Sequence, residues 1–213
     1  MLSAHAAATP VFLTMEDPLT PAQADESSLD FALMARIGTG DHTAFRQLVE
    51  RHQNAVIGTV AKMLGNPSDA QDIAQQVFLR IWRNAKRYRP EAKFTTYIFT
   101  ITRNLVFNET RRRRRKKEVS SDEREEHSNH LLEDRPDRQP DAQLLHSELQ
   151  QAIDAAIAAL PETQRMAVVL WRYKQLPYEE IASVLGLSGS AVKSLLFRAR
   201  TSLRESLSGY LDR

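Results

Sequence analysis

Cations, small hydroxyls and aromatics are the chemically expressive residues of this chain, and their grouping suits a polyanion. Toward the C-terminus, Ser188, Ser190, Lys193, Ser194 and Arg198 fall outward on a helical repeat whose inward positions are Val192, Leu196, Ala199 and Leu203. Such a surface can hydrogen-bond base edges and phosphates in the major groove. Earlier, seven consecutive cations occupy residues 111–117, and Arg111, Arg112, Arg113, Arg114 and Arg115 are the expected phosphate contacts. Phosphate contacts give affinity and register without sequence information. Just before them comes a basic loop with Lys86, Arg87, Tyr88, Arg89 and Lys93, then a helix in which Phe94, Tyr97, Phe99 and Phe107 alternate with Thr95, Thr96, Thr100, Arg103 and Asn104. Aromatics interleaved with cations can stack unpaired bases while the cations hold the backbone. The plainer reading makes the aromatics core, as it surely does Ile98, Ile101 and Leu105.

Catalytic chemistry finds little support. The chain has no cysteine, so disulfides, thiolate metal sites and a cysteine nucleophile are excluded. His127 and His130 stand at helical spacing without a second ligand pair, so no metal site is expected. There is no glycine-rich phosphate loop or nucleophile elbow. The acids Asp30, Asp41, Glu50, Asp69, Asp72, Glu91 and Glu109 form no cluster in sequence. Neither enzymatic activity nor a cofactor is expected. With no apolar run of bilayer length and no basic leader ahead of Pro10, a soluble cytoplasmic protein without membrane insertion is expected.

The positions of these groups follow from how charge is segregated. The formal net charge is +2, but residues 30–117 hold 18 bases and 7 acids, whereas residues 1–29 hold four acids and no base. Residues 118–143 hold 9 acids and 3 bases, with few apolar side chains, the composition of a solvated linker. Residues 144–213 are nearly neutral, with 8 bases and 7 acids. A strongly basic module, an acidic linker and a second module follow from this partition.

Apolar spacing is helical throughout both modules, and strand-like alternation is absent. Leu29, Leu33 and Ile37 predict a short helix ending at Gly38. Asp41 is placed to cap a long helix carrying Phe45, Leu48, Val49, Val56, Val60 and Met63, which Gly65, Asn66 and Pro67 stop. A third helix over residues 69–83 buries Ile73, Val77 and Ile81, and a fourth runs from Phe94 into the basic stretch. After the linker, Leu145, Leu149, Ile153 and Ile157 resume the period, and Pro161 is read as the first turn of another helix. Tyr178 to Leu185 forms the next, with Ile181, Ala182 and Leu185 inward. Gly186 suits a sharp turn, and Ser188 suits the N-cap of the outward-facing helix described first. The prediction is an all-α protein: two small helical domains (residues 29–117 and 144–213) joined by a flexible acidic linker, after a disordered extension of residues 1–28. The C-terminal domain carries a helix-turn-helix, for which an ordinary helical hairpin is the alternative.

In this order, four motifs resemble a known family. They are Asp69-Ala-Gln-Asp-Ile-Ala-Gln-Gln-Val-Phe-Leu-Arg-Ile-Trp82, Phe94-Thr-Thr-Tyr-Ile-Phe-Thr-Ile-Thr-Arg-Asn-Leu105, Leu160-Pro-Glu-Thr-Gln-Arg165 and the helix-turn-helix. Together they resemble the extracytoplasmic-function class of bacterial sigma factors, over roughly residues 29–117 and 144–207. The resemblance implies a promoter-specificity subunit whose partners are core RNA polymerase (its large beta and beta-prime subunits), promoter DNA and an anti-sigma factor. It implies polymerase docking through Asp69, Asp72, Gln75, Gln76, Leu79 and Arg80. It also implies that residues 86–93 and the helix from Phe94 open and read the −10 element as single strand, through Lys86, Arg87, Tyr88, Arg89, Lys93, Phe94, Thr95, Tyr97, Thr100, Arg103 and Asn104. The helix-turn-helix would read the −35 duplex through Ser188, Ser190, Lys193, Ser194 and Arg198. By the same analogy, the acidic linker threads toward the polymerase active centre. The chain departs from the family at Gln76, commonly Glu; at Tyr97, often Trp; and at Leu195 and Phe197, where Arg and His are frequent.

Two other readings compete. A free-standing helix-turn-helix regulator calls for a sensor domain or a dimerisation helix, neither of which is evident. A nucleic-acid enzyme calls for a carboxylate cluster or a nucleophile on the basic module. Affinity for core polymerase separates the first reading from both.

Overall fold

The protein is described by a computed structural model, which places residues 23–120 and 142–211. Among the described residues the regular elements are all helical. In chain order they are α1 (Gln23–Gly38), α2 (His42–Leu64), α3 (Pro67–Asn84), α4 (Phe94–Ser120), α5 (Ala142–Ala159), α6 (Glu162–Val168), α7 (Tyr178–Leu185), α8 (Gly189–Ser206) and α9 (Ser208–Leu211). A single 3₁₀ turn, Ala85–Arg87, follows α3, and a π-turn, Val169–Tyr173, continues α6.

Local chemistry sets the boundaries. Asp41 caps α2, its Oδ1 accepting from the amides of Thr43 at 2.8 Å and Ala44 at 3.0 Å. Its other oxygen lies 2.7 Å from the Arg36 guanidinium. Gly65 ends α2 at φ 71, a left-handed conformation that a side chain would disfavour. Asn66 then caps α3 through Ser68 N, and Pro67 opens that helix where no amide is required. Pro161 differs from its sequence assignment: it sits at the cap of α6, one residue before the helix proper.

The N-terminal half packs α1 to α4 around Leu33, Met34, Leu48, Val56, Val60, Ile81, Phe94 and Ile98. Leu29, expected inward, is 46% exposed, and Met34 fills the core beside Leu33 and Ile37 instead. Buried Asp30 ties α1 to α2 by accepting from Arg51 Nε at 3.1 Å and by contacting His52 Nε2 at 3.0 Å. The His52 ring in turn lies 5.0 Å from that of Phe94. In the C-terminal half, Ile157, Met166, Leu170, Ile181, Val192, Leu196 and Leu203 form the core between α5, α6, α7 and α8.

The halves pack directly on one another, α4 against α7 and α2 against α5, α6 and the π-turn. Arg165 Nη1 donates to the Met63 carbonyl at 2.8 Å, and Lys62 pairs with Asp154. Helix α1 starts at Gln23, inside the stretch expected to be disordered, and α4 continues to Ser120, past the expected boundary at residue 117. The rest of the expected extension and linker, with His127 and His130, lies outside the described residues.

Candidate nucleic-acid interface

Three surfaces carry the residues singled out in the sequence. The first is α3. Its buried stripe of Ala70, Ile73, Ala74, Val77, Phe78 and Ile81 leaves Asp72, Gln75, Gln76, Leu79 and Arg80 together on the solvent side. Leu79 is 42% exposed in the middle of that polar face. Asp69 stands apart from this group. Its Oδ2 lies 2.5 Å from Arg113 Nη2, so in this structure it joins α3 to α4.

That pair links to the second surface, the basic end of α4. Glu109 accepts from Arg112 Nε and Nη2 and from Arg113 Nε, each at 2.8 Å. The hydrogen bonds from Arg112, reinforced by Arg113, hold the Glu109 carboxyl down at about 2. Arg114 pairs with Glu118 at 3.0 Å, a surface contact of little energetic weight. Three of the five arginines expected on phosphate thus already hold carboxylates, while Arg111 and Arg115 extend into solvent. The exposed Arg114–Glu118 pair is screened and weak, so that arginine can exchange its carboxylate for phosphate.

The expected −10 residues divide. Lys86, Arg87 and Arg89 are exposed on the 3₁₀ turn and the following loop, and Asn104 is exposed on α4. Phe94 is a correction: its ring is fully buried between those of His52 and Tyr88, so here it serves the core and has no face for a base. The aromatic surface rests on Tyr88 and Tyr97, half-buried rings with centroids 4.9 Å apart. Burial, with the nearby Tyr97 and Asp30 adding to it, pushes the Tyr88 phenol up to about 12. Burial likewise raises Tyr97. The Thr100 hydroxyl donates to the Thr96 carbonyl at 2.7 Å, one turn back along the helix.

Lys93, Thr95 and Arg103 meet α7. Lys93 Nζ lies 2.6 Å from Glu180 Oε1, and Thr95 Oγ1 donates to Glu180 Oε2 at 3.2 Å. Arg103 Nη1 donates to the Leu185 carbonyl at 3.0 Å, the last of that helix.

The third surface is the helix pair α7–α8, whose axes cross at 97°. Gly186 makes the turn at φ 68, and Leu187 N reaches back to the Ala182 carbonyl at 2.9 Å, closing α7 with a Schellman motif. Ser188 Oγ caps α8 by accepting from Ala191 N at 3.2 Å. Beyond the cap, Ser190, Lys193, Ser194 and Arg198 are exposed, while Val192, Leu196, Ala199 and Leu203 are buried. A shallow groove runs between Lys193, Ser194, Phe197 and Arg198. Phe197 is 57% exposed, with the Arg200 guanidinium 5.5 Å from its ring. In the sequence Phe197 stands out only as a departure from the family pattern. Its register signals otherwise, since 193, 194, 197 and 198 share one helical face.

No candidate cation site of three or more His, Asp or Glu ligands is found among the described residues. Nor is any single helix there long and apolar enough to cross a membrane.

Comparison with known proteins accounts for this arrangement. Residues 48–116 match the family model for Sigma-70 region 2, and residues 150–203 match that for Sigma-70, region 4. The chain is 30% identical over 182 residues to the RNA polymerase sigma-H factor of Pseudomonas aeruginosa, covering 84% of this chain and 93% of that protein. It is also 30% identical over 182 residues to the ECF RNA polymerase sigma-E factor of Escherichia coli, covering 84% and 94%. Among solved structures, the fold resembles CnrH in complex with the cytosolic domain of CnrY, with TM-score 0.62 and 24% identity over 85% of this chain and 98% of that one. It also resembles the sigma factor RpoE of Bartonella quintana, solved with the anti-sigma factor NepR, with TM-score 0.61 and 23% identity over 77% and 96%. Matches to both sigma-70 regions, in this order, and 30% identity to these relatives over most of the chain place it in the sigma-70 family, among its extracytoplasmic-function sigma factors.

Proposed function

We propose that this protein binds core RNA polymerase and directs it to promoters that it reads in two parts, without catalysing a reaction itself. One observation carries the reading. The chain joins a recognition helix with an exposed polar and cationic face to a basic helical module of the Sigma-70 region 2 type. In it, α3 docks on the polymerase through Asp72, Gln75, Gln76, Leu79 and Arg80, with Leu79 as the apolar anchor. Asp69 contributes by holding Arg113 and so fixing α3 against α4.

Promoter contact follows from the two DNA surfaces. Lys193 and Arg198 reach phosphates or guanine edges of the −35 duplex, Ser190 and Ser194 reach base edges, and Phe197 suits a thymine methyl. The −10 strand, once unpaired by the polymerase, lies along residues 86–89 and α4, with Tyr88 and Tyr97 as stacking faces and Arg103 and Asn104 beside them. The arginines of residues 111–115 hold the adjoining backbone. An anti-sigma factor is a further partner of this reading, RpoE of Bartonella quintana having been solved with the anti-sigma factor NepR. Its place of action is the cytoplasm, where the polymerase works.

Run-off transcription tests the reading, using purified core polymerase on a pool of genomic promoter fragments with and without the chain. New start sites that depend on the chain are expected. DNA binding without new start sites would point to a free-standing regulator instead.

A further inference from the structure

Tyr88 has few bonds of its own to fix its ring. Its hydroxyl is buried with no hydrogen-bond partner among the described residues. Its amide reaches back only to the Ala85 carbonyl, at 3.2 Å, across the 3₁₀ turn. The ring is therefore oriented by packing. It tilts against Tyr97 at 4.9 Å and stands edge-on to Phe94 at 6.3 Å, while Phe94 lies 6.0 Å from Tyr97. Phe94, fully buried, is thus the common back wall of both tyrosines.

Behind Phe94 stands His52 of α2, its ring 5.0 Å away. Asp30 of α1, only 2% exposed, engages α2 with both oxygens. Its Oδ1 accepts from Arg51 Nε at 3.1 Å, and its Oδ2 lies 3.0 Å from His52 Nε2. A carboxylate only accepts, so His52 Nε2 is the nitrogen that carries the proton, and the bond fixes both the tautomer and the tilt of the ring. For stability alone, apolar residues of similar volume would serve as well as a buried ion pair. What the Asp30–His52 bond adds is a set angle for the ring on which Phe94 rests.

We propose that Asp30 and His52 are positioning residues for reading the −10 strand. The bond between them orients the ring behind Phe94, and through Phe94 it sets the stacking angle of Tyr88 and Tyr97. Neither residue touches DNA; both act from beneath the surface. The proposal rests on the reading of Tyr88 and Tyr97 as stacking faces.

Two measurements on the full-length chain test it. With fluorotyrosine at the five tyrosines, the fluorine NMR signals of Tyr88 and Tyr97 are assigned through Tyr88→Phe and Tyr97→Phe. Asp30→Asn weakens the bond, and His52→Gln keeps a donor for Asp30 but removes the ring. Both should shift the two signals and leave those of Tyr173, Tyr178 and Tyr210 in place. Met63→Ala truncates a buried side chain in the last turn of α2. It should lower the thermal midpoint without moving either signal.

The second measurement uses holoenzyme on a promoter mapped by run-off transcription, with 2-aminopurine in the non-template −10 strand reporting stacking. Asp30→Asn and His52→Gln should lower open-complex stability about tenfold, the scale of one base–aromatic stack, and Met63→Ala should not. His52→Phe, which keeps a ring on Phe94 without the bond to Asp30, should recover only part of that loss. Adding His52→Gln to a Tyr88→Ala, Tyr97→Ala chain should cost nothing further, because the faces it positions are gone.

The proposal is overturned if the two tyrosine signals stay in place in folded Asp30→Asn and His52→Gln chains, or if Met63→Ala moves them as far. It is also overturned if the His52→Gln loss adds in full to that of the double tyrosine variant. Parental behaviour of His52→Phe removes Asp30 from the role. Failure of the parent itself to direct new start sites removes the sigma-factor reading instead, and the fluorine shifts then still decide whether Asp30 and His52 set the tyrosines.

Discussion

Arg165 reaches out of the C-terminal half to donate to the carbonyl of Met63, 102 residues earlier in the chain, at 2.8 Å. The same guanidinium donates to the carbonyls of Leu160, at 3.1 Å, and Ala158. One side chain thus closes the end of α5 and fastens it to the last turn of α2, satisfying carbonyls that helix ends leave without intrahelical partners. Burial in this position lowers the Arg165 pKa, yet the group stays charged at any working pH.

Arg165→Ala should therefore cost about 2 kcal/mol of stability, the scale of charged hydrogen bonds lost with their acceptors left behind. Arg165→Lys should recover only part of it, since a single ammonium cannot reproduce the planar fork. Urea denaturation followed by circular dichroism checks both, and equal stability of all three proteins would show that these contacts are not held in solution.

At the turn of the helix pair, the backbone decides. Gly186→Ala places a Cβ at φ 68 with no atom within 4 Å, so the cost is backbone strain alone, about 1 kcal/mol. Gly186→Asn should cost less, because asparagine tolerates the left-handed region. A comparison of thermal midpoints would expose the opposite order, which would mean that a steric clash governs this site.

Tyr88 offers a way to separate folding from DNA reading. Its hydroxyl is buried without a hydrogen-bond partner, and burial keeps it protonated, its pKa pushed up to about 12. Tyr88→Phe should leave stability unchanged or slightly raised, since an unsatisfied polar group is removed. If the ring contributes stacking alone, open-complex formation should also survive in Tyr88→Phe and fall in Tyr88→Ala, as permanganate footprinting of the −10 region would report. A marked loss in Tyr88→Phe would assign the hydroxyl a direct role.

Acid should weaken the ion-pair cluster at the basic end of α4. The Glu109 pKa is depressed in the folded state, to about 2, by hydrogen bonds from Arg112 and Arg113. A depressed carboxylate contributes stability that is present above its unfolded pKa, near the ordinary 4.5, and is lost as pH falls toward 2. Glu109→Gln should therefore flatten the fall in stability across that window while lowering stability at neutral pH. Parallel acid slopes in the two proteins would show that other carboxylates carry the effect.

On α8, Lys193→Ala and Arg198→Ala should weaken duplex binding and each reduce the salt dependence, log Kd against log salt, by about one if the lost contact is a phosphate. Phe197→Ala should leave that slope unchanged and relax preference at one A·T pair, the signature of a lost methyl contact. Holoenzyme binding to a −35 duplex library at several salt concentrations distinguishes the two outcomes.

By itself the sequence determined what short-range physics controls. Asp41, Asn66 and Ser188 cap helices because each side-chain oxygen can reach an amide two or three residues on. Gly65 and Gly186 close helices because only positive φ completes those turns. Periodic Val, Leu and Ile identified the inward faces of α2, α3 and α8, and by subtraction the outward face that holds Lys193, Ser194 and Arg198. Tertiary structure alone decided the rest. Phe94 and Tyr97 look alike in sequence, yet one is fully buried beneath His52 and the other half-buried beside Tyr88. Asp69 turns to Arg113, and Lys93, Thr95 and Arg103 turn to α7, more than eighty residues away. Local periodicity says which side of a helix is dry. Which chain segment covers that side, and which cations find a carboxylate there, depends on packing across long sequence separations.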